Sequence, residues 1–599
     1  MPLDRRSLLS TSAAAAAGAG AALAAASPAS AESDRRQSKR YSFTVLGTTD
    51  LHGHVFNWDY FADAEYSDAN GNAKGLSRIA TLVKRIREEE GRENTILIDA
   101  GDTIQGTPLA YYYARVDPIT GAAGPVHPIA QAMNEIGFDA AALGNHEFNY
   151  GLDTLRVFES QLDFPLLGAN VIETATGEPA FPPYHFVKLD APHGRDVKVA
   201  ILGLCTPGVQ IWDKAYVEGV LEFPSLESQA AYWVPKLREM GADVVIVSAH
   251  SGTSGTSAYD PEVVPAIENA SKLVAEQVAG IDAILVGHAH IEIEEELVTG
   301  PDGGTVVISE PHFHGQRLTR FDFELEWKRG CWKVESAGAT ILNSNSVEDD
   351  PRITEILSDE HNEVVTYVNQ VVGQATEDLD TVAARYTDAP IIDLITTVQA
   401  ETVANALAGT EYAQLPVLAQ ASPFSRTSKI PAGDVTIRAL SGLYIYDNTL
   451  VAKLLTGAQV RAYLEYSAEY YVQTAPDAAV TPDAITNAGG KPDYNYDYVS
   501  GLTYEIDIAQ AAGSRIVNLQ FEGAEVDDAQ QFVLAVNNYR ANGGGAFPHV
   551  ADAEELWSES IEIRTRIIEW ATAKGVLDPA DFASSDWFLT REGTPIEFA

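Results

Sequence analysis

Cysteine is almost absent. The 599 residues contain two, Cys205 and Cys331, which excludes a disulfide framework and a thiolate metal site and leaves one bridge or two inert buried thiols, the second being the expectation. Positive charge is also scarce. Against 85 Asp and Glu stand 40 Lys and Arg, a formal net charge of −45, so a protein that must neutralise phosphates along a nucleic-acid polymer is excluded and an anionic membrane surface is a poor partner. Long apolar runs are missing too. The uncharged stretch from Ser7 to Ala31 is mostly alanine, whereas a bilayer span needs about 20 strongly apolar residues, so no membrane span is expected. What remains is ample material for a core: 45% of the residues are hydrophobic, and the length suits roughly two to four domains.

Residues 1–31 do not read as fold. Asp4-Arg5-Arg6-Ser7-Leu8-Leu9 precedes the alanine tract, and Ala29-Ser30-Ala31 is an A-x-A cleavage site; together they resemble a twin-arginine export signal. The expectation is a soluble mature protein outside the cytoplasm, periplasmic or secreted.

From Tyr41 to about Ser309, β-rich runs alternate with helical patterns, as in α/β layering. Residues 42–48, 95–99, 197–204, 243–248 and 283–286 read as strands. Ile79, Leu82, Val83 and Ile86 predict a helix over residues 76–90, and further helices are expected after Leu226 and after Val263. Phe321 to Trp327 alternates and, with Cys331 to Val334 across a Lys-Arg-Gly turn, predicts a hairpin that closes a domain spanning 41–345. Residues 346–372 read as a helical linker. A second α/β domain, 373–599, is rich in tyrosine, including Tyr444, Tyr446, Tyr463, Tyr466, Tyr470 and Tyr471.

Side chains able to bind metal fall just beyond the strand ends: Asp50-Leu51-His52, Gly101-Asp102, Gly144-Asn145-His146-Glu147, His250, and Gly287-His288-Ala289-His290. Loops at the carboxyl ends of strands converge in space, and the glycines suit sharp turns there. One such histidine would most simply be structural; five fragments in this order are not. The ordered set resembles the calcineurin-like metallophosphoesterases. The resemblance implies two packed mixed sheets flanked by helices and a two-metal centre, in which Asp50, His52 and His290 hold one ion, Asn145, His250 and His288 the other, and Asp102 bridges them. Imidazole, carboxylate and amide donors without thiolate suit two divalent ions of the Zn, Mn or Co type. The resemblance also implies that His146, beside Asn145 in the catalytic set, approaches the leaving oxygen, stabilising the transition state and acting as general acid. His54, His312 and His314 lie outside the seven-ligand set and read as structural or supporting.

In the second half, Leu443-Tyr444-Ile445-Tyr446-Asp447-Asn448-Thr449-Leu450 and Asn537-Asn538-Tyr539-Arg540-Ala541-Asn542-Gly543-Gly544-Gly545 resemble the base-binding segments of the exported nucleotidases. The resemblance implies that Tyr446 and Tyr539 sandwich a nucleobase, that Asn448 lies beside it, and that Gly543 and Gly544 let backbone approach closely. Stacking a base on an aromatic ring contributes about 1–3 kcal/mol whichever base it is.

The run Gly144 to Asp153, Thr206-Pro207 with Ile211-Trp212-Asp213-Lys214, and Ile430-Pro431-Ala432-Gly433-Asp434 resemble the bifunctional 2',3'-cyclic-nucleotide 2'-phosphodiesterase/3'-nucleotidases. The 5'-nucleotidase branch usually carries Asp where Asn149 and Gly545 stand, and it uses an arginine cluster for substrate, near whose places this sequence has only Arg385 and Arg426. The expected substrates are therefore 2',3'-cyclic and 3'-nucleotides. A 5'-nucleotidase or nucleotide-sugar hydrolase, and a non-catalytic nucleotide-binding protein, are the alternatives.

Overall fold

The computed structural model describes residues 40–121, 124–191, 195–476, 478 and 480–598; the export segment expected over residues 1–31 lies outside them. In the first domain the strand alternation serves two cores at once. Val45, Ile96, Ile98, Val199, Ile201, Val244 and Ile246 pack into one cluster, whereas their neighbours Leu46 and Leu97 join a second and Ala200, Leu202, Val245 and Val247 a third. A strand buried on both faces must lie between two layers. Two six-stranded sheets accordingly pack face to face. The first runs Cys331–Asn343, Arg317–Lys328, Arg40–Thr48, Thr95–Asp99, Ala140–Ala142 and Leu166–Leu167; the second runs Glu292–Thr299, Thr305–Pro311, Ala283–Val286, Val244–His250, Val197–Cys205 and Tyr184–Leu189. Central pairs are parallel and outer hairpins antiparallel.

Helices cover the outer faces. Leu76–Glu90 turns Leu76, Ile79, Leu82, Val83 and Ile86 onto the first sheet, matching its predicted bounds, and Leu226–Glu239 covers the second. The helix expected after Val263 forms, but begins only at Ser271 and ends at Gln277. Pro265 breaks the pattern, since proline lacks the N–H and clashes with the preceding turn. The linker forms the helices Pro351–Ile356 and Ser358–Val368. It packs rather than spans: Ile353, Leu357, Val364 and Val368 belong to the core of the first sheet.

The second domain contains a five-stranded sheet of Tyr498–Ser500, Val417–Ala421, Gln531–Asn537, Thr449–Thr456 and Glu555–Glu562. Another is built of Ala524–Glu525, Ile516–Phe521, Thr503–Asp507, Trp587–Arg591 and Thr594–Pro595. Most of its tyrosines are core: Tyr444, Tyr463, Tyr470, Tyr471, Tyr496 and Tyr498 are fully buried. Both cysteines are free, and the expectation of two buried thiols holds for one. Cys205 is buried, whereas Cys331 is half-buried beside its hairpin turn, where a two-residue turn leaves no layer to cover it. Among the described residues no helix is long and apolar enough to cross a membrane.

Candidate metal centre

Parallel pairing of Arg40–Thr48 with Thr95–Asp99, and of Val197–Cys205 with Val244–His250 and Ala283–Val286, sets the carboxyl ends of both sheets side by side. The loops that leave them are stitched together by backbone: Asp50 N–H donates to Gly101 C=O at 2.9 Å, His52 N–H to Asp102 C=O at 2.9 Å, and His314 N–H to Asp50 C=O at 2.7 Å. Glu147, wholly buried, accepts from the N–H groups of Asp102, Thr103 and Gly144 at 2.9, 2.5 and 2.6 Å and from the Thr103 hydroxyl at 2.6 Å.

Five candidate ligands have positive φ: Asp50 (50°), His52 (46°), Asp102 (60°), His288 (81°) and His290 (56°). The left-handed region costs a side-chain-bearing residue about 1–2 kcal/mol, so the surrounding bonds must impose it. Of the three glycines expected at turns, only Gly101 has positive φ, 97°. Gly144 and Gly287 serve close approach instead: a Cβ would lie 2.2 Å from Asp102 Oδ1 at Gly144 and 2.0 Å from Thr49 Oγ1 at Gly287.

Two groups of donors result, Asp50 with His52 and His290, and Asp102 with His250 and His288, each with its ligand atoms within 4.8 Å of one another. Asp102 Oδ2 lies 2.9 Å from His250 Nε2 and 3.8 Å from His52 Nε2, and so stands between the groups. His290 Nε2 is 3.1 Å from both Asp50 Oδ1 and His52 Nε2.

The tautomers are fixed from behind. His52 Nδ1 donates to Gln105 C=O at 3.0 Å and His250 Nδ1 to Ala100 C=O at 2.8 Å, which turns each Nε2 lone pair inward. His288 bonds Glu268 Oε1 through Nε2 at 2.9 Å, leaving Nδ1. Burial works to raise the pKa of Asp50 and Asp102, but His290 and His250 around the first, and His250 and His146 around the second, hold both below the usual carboxylate range. Burial works to lower that of His250, but Asp102 and Asp50 push it up to about 10; burial takes His52 down to about 4.

The donor set fits two divalent ions. Asn145 Oδ1 is buried with no hydrogen-bond partner among protein groups. Oxygen and imidazole donors without thiolate suit borderline-to-hard cations. His54 and His314 stack on each other at 3.8 Å outside both groups, and His312 also stands apart.

His146 projects beside these groups, Nε2 4.0 Å from Asp102 Oδ2. Its Nδ1 lies 2.6 Å from Asn149 Oδ1, and the Asn149 amide donates to Asp213 Oδ1 at 2.8 Å. Because the Asn149 amide N–H faces Asp213, its oxygen must accept from His146 Nδ1–H. Asp213 is buried, and burial lifts its pKa to about 7.

The two segments of the second domain adjoin because their strands are antiparallel partners with Leu450 opposite Asn537. Tyr446 and Tyr539 are both half-buried. Tyr446 meets Phe424 at 5.3 Å and Tyr494 at 6.5 Å. Gly544 covers one face of Tyr539, where a Cβ would sit 2.6 Å from the ring. Gly543 has φ 101°. Asn448 Nδ2 donates to the buried Tyr444 hydroxyl at 3.4 Å. Arg385 pairs with Asp483 and Arg426 with Asp493.

Each segment is bonded to one metal-binding group. Asp447 Oδ2 accepts from Gln105 Nε2 at 2.6 Å and from the Tyr150 hydroxyl at 3.0 Å, and Gln105 C=O is the His52 anchor. Gly545 N–H donates to Ala258 C=O at 3.2 Å, and Ala258 N–H to Glu268 Oε2 at 2.5 Å; Glu268 is the His288 anchor. Trp212 stacks on His288 at 5.6 Å while its C=O accepts from Asn538. Sequence reasoning did not single out Glu147, Glu268, Gln105 or Phe424. Glu268 lies in an irregular loop with no periodic signal. Asp213 was visible only as part of a motif.

Comparison with known proteins accounts for nearly the whole chain. Residues 43–292 match the calcineurin-like phosphoesterase family and residues 371–552 the 5'-nucleotidase C-terminal domain. The 2',3'-cyclic-nucleotide 2'-phosphodiesterase/3'-nucleotidase of Yersinia enterocolitica is 31% identical over 601 residues, which cover 92% of this chain and 89% of that protein. The trifunctional nucleotide phosphoesterase protein YfkN of Bacillus subtilis is 32% identical over 93% of this chain, which spans only 39% of that longer protein. The 5'-nucleotidase precursor of Thermus thermophilus shares the fold, with TM-score 0.60 and 21% identity over 92% of this chain and 99% of that one. The chain therefore belongs to the nucleotidase family of calcineurin-like metallophosphoesterases and is a metal-dependent phosphoric ester hydrolase that uses two divalent ions.

Proposed function

We propose that the enzyme converts 2',3'-cyclic nucleotides to 3'-nucleotides and these to nucleoside and phosphate. The observation that carries this reading is the pair of bonded links from the Tyr446 and Tyr539 segments to the two metal-binding groups, in a chain 31% identical to a relative of that name. Residues 41–345 carry the hydrolysis, residues 373–599 select the base, and residues 346–372 join them. Asp50, His52 and His290 would hold one ion and Asn145, His250 and His288 the second, with Asp102 within reach of both; Zn, Mn or Co would suit this set. When bound, such a pair activates water and neutralises the phosphoryl oxygens of an in-line displacement.

The chain's own groups do the rest. Tyr446 and Tyr539 grip the base by its faces, Asn448 lies at its edge, and Gly543 and Gly544 admit it close to backbone. With Nδ1–H committed to Asn149, His146 in its imidazolium form presents Nε2–H to the leaving oxygen, gives that proton to it and is left as the neutral Nδ1–H imidazole. In the cyclic diester that oxygen is the ribose 2'-oxygen; in the 3'-monophosphate it is the neighbouring 3'-oxygen. One base pose therefore serves both steps. A 5'-phosphate hangs from the other end of the ribose and needs a different pose. The Arg5-Arg6 segment supports export to the periplasm or medium.

A substrate panel tests this, with phosphate release followed with and without chelator. The expected result is much higher kcat/KM for 2',3'-cyclic AMP and 3'-AMP than for 5'-AMP. If 5'-AMP or a nucleotide sugar is the best substrate, the 5'-nucleotidase reading replaces it; nucleotide binding without turnover would make the protein a binding module.

A further inference from the structure

Away from the metal centre, three more carboxylates meet in the second domain. Asp388 lies in the turn before the helix Pro390–Ala406, Asp393 on the first turn of that helix, and Asp586 just ahead of the strand Trp587–Arg591. One oxygen of each lies within 4.8 Å of the others. Asp393 is 1% and Asp586 6% exposed, with Asp388 half-buried.

Their neighbours are backbone and hydroxyl donors: Asp586 N–H to Asp388 Oδ2 at 2.7 Å, Ser584 N–H to Asp393 Oδ2 at 2.9 Å, and Ser584 Oγ to Asp586 Oδ2 at 2.8 Å. None of these carries a positive charge. Asp388 Oδ1 and Asp393 Oδ1 are buried with no hydrogen-bond partner among protein groups.

A fourth group points the same way. The Tyr498 hydroxyl is wholly buried and also has no hydrogen-bond partner, although burial and the charges of Asp388, Asp393 and Asp586 together raise its pKa well above 10. The hydroxyl thus lies near enough to feel all three carboxylates while donating to none of them.

We propose that Asp388, Asp393, Asp586 and Tyr498 form a site for a hard divalent cation, Ca²⁺ by preference, that pins the start of the helix Pro390–Ala406 to the strand Trp587–Arg591. The donors are all oxygen, unlike the imidazole-rich metal centre, and so select a harder ion. Oxygens bind Ca²⁺ at about 2.3–2.6 Å, so two on one ion stand up to about 5 Å apart, which the spacing meets. Without a cation, burial together with the neighbouring Asp388 raises Asp393 to about 8 and Asp586 to about 6. Such a site would hold together two segments almost 200 residues apart in sequence.

The holoenzyme, its two catalytic ions in place, is titrated with Ca²⁺ and separately with Tb³⁺, whose emission a tyrosine at the site sensitises. The expected result is one further Ca²⁺ per chain, tyrosine-excited Tb³⁺ emission that Ca²⁺ displaces, and a higher Tm. Asp393→Asn and Asp586→Asn should each weaken Ca²⁺ binding by about tenfold or more, with kcat on a base-free aryl phosphodiester unchanged. Tyr498→Phe, which keeps the ring packing and leaves Trp587 to sensitise Tb³⁺, should weaken Ca²⁺ and Tb³⁺ binding and provides a check should the aspartate variants fold poorly. Holoenzyme that takes up no additional Ca²⁺, or variants that bind it as tightly as the parent, would overturn the proposal.

Discussion

The strand-end loops of the first domain and the aromatic cleft of the second solve different problems with different backbones. Around the metal-binding groups, five side-chain-bearing residues are held at positive φ, each at a cost of about 1–2 kcal/mol, and buried Glu147 and backbone bonds between loops hold them there. In the aromatic segments, none of Phe424, Tyr446, Tyr494 and Tyr539 has positive φ; the left-handed positions nearby are Gly543, Gly545 and Ala546, none of them a stacking ring. Ligand atoms must converge on a point within tenths of an ångström, so strain is tolerated where it aims them. Stacking accepts a range of ring positions, so relaxed backbone suffices.

The largest effect should come from the strained side. Asp102→Ala removes the one carboxylate that stands between both donor groups and should cost on the order of 10³-fold or more on every phosphoester. Metal analysis should find two divalent ions per active parent chain. Substantial turnover by the variant, or full activity with fewer ions, would show that the two groups do not act as one centre.

On the relaxed side, Tyr446→Ala and Tyr539→Ala should each cost about 1–3 kcal/mol in kcat/KM on nucleotides. A small aryl phosphodiester that has no base should be hydrolysed almost as before. Equal losses on both substrates would mean that the rings support the fold or the metal centre, and the contrast between the two regions would collapse.

Asp213 sharpens the comparison from within the first region, since it bonds Asn149 and through it His146. Asp213→Asn should lower kcat by about tenfold while leaving KM near its parent value; a purely structural role would instead show as lost Tm with kcat intact. The same variant has a pH signature. The folded-state pKa of Asp213, about 7, exceeds the unfolded value of about 3.9, so between those values the native state binds the extra proton. Its contribution to stability is full below about pH 4 and is lost as pH rises through 7. In chelator-treated protein, Asp213→Asn should flatten the fall of Tm across that window; an unchanged slope would place the titrating charge elsewhere.

The smallest effect is expected at Cys205, which is buried in the core but contributes no donor to either donor group. Cys205→Ala should cost about 1 kcal/mol of stability, as a small cavity does, and leave kcat/KM unchanged on both substrate types. A marked loss of activity would show that core packing at this strand end also sets the ligand geometry.

Much of the first region could be read from the chain, because strand alternation and the 76–90 helix are local patterns and the ligand residues follow strand ends in order. The supporting groups were not. Glu147 sat in plain view within Gly144-Asn145-His146-Glu147, yet nothing in the sequence says that its carboxylate turns back to collect four donors. Nor do the separations from Gln105 to Asp447, or from Ala258 to Gly545, leave any periodic trace. Pro265 shows a different limit: a helical pattern was present after Val263, yet the helix starts only at Ser271, beyond the proline.

The sequence by itself determined the layer architecture, the identity of the donor atoms and the exclusion of thiolate chemistry, since these follow from periodicity and side-chain type. Only the tertiary structure decided which nitrogen of each histidine turns inward, which tyrosines stay half-exposed while their neighbours become core, and that three aspartates from distant segments share one buried space. Those outcomes depend on hydrogen-bond partners and packing neighbours supplied by remote parts of the chain, and such partners are fixed by how the layers close, not by the order of residues along them.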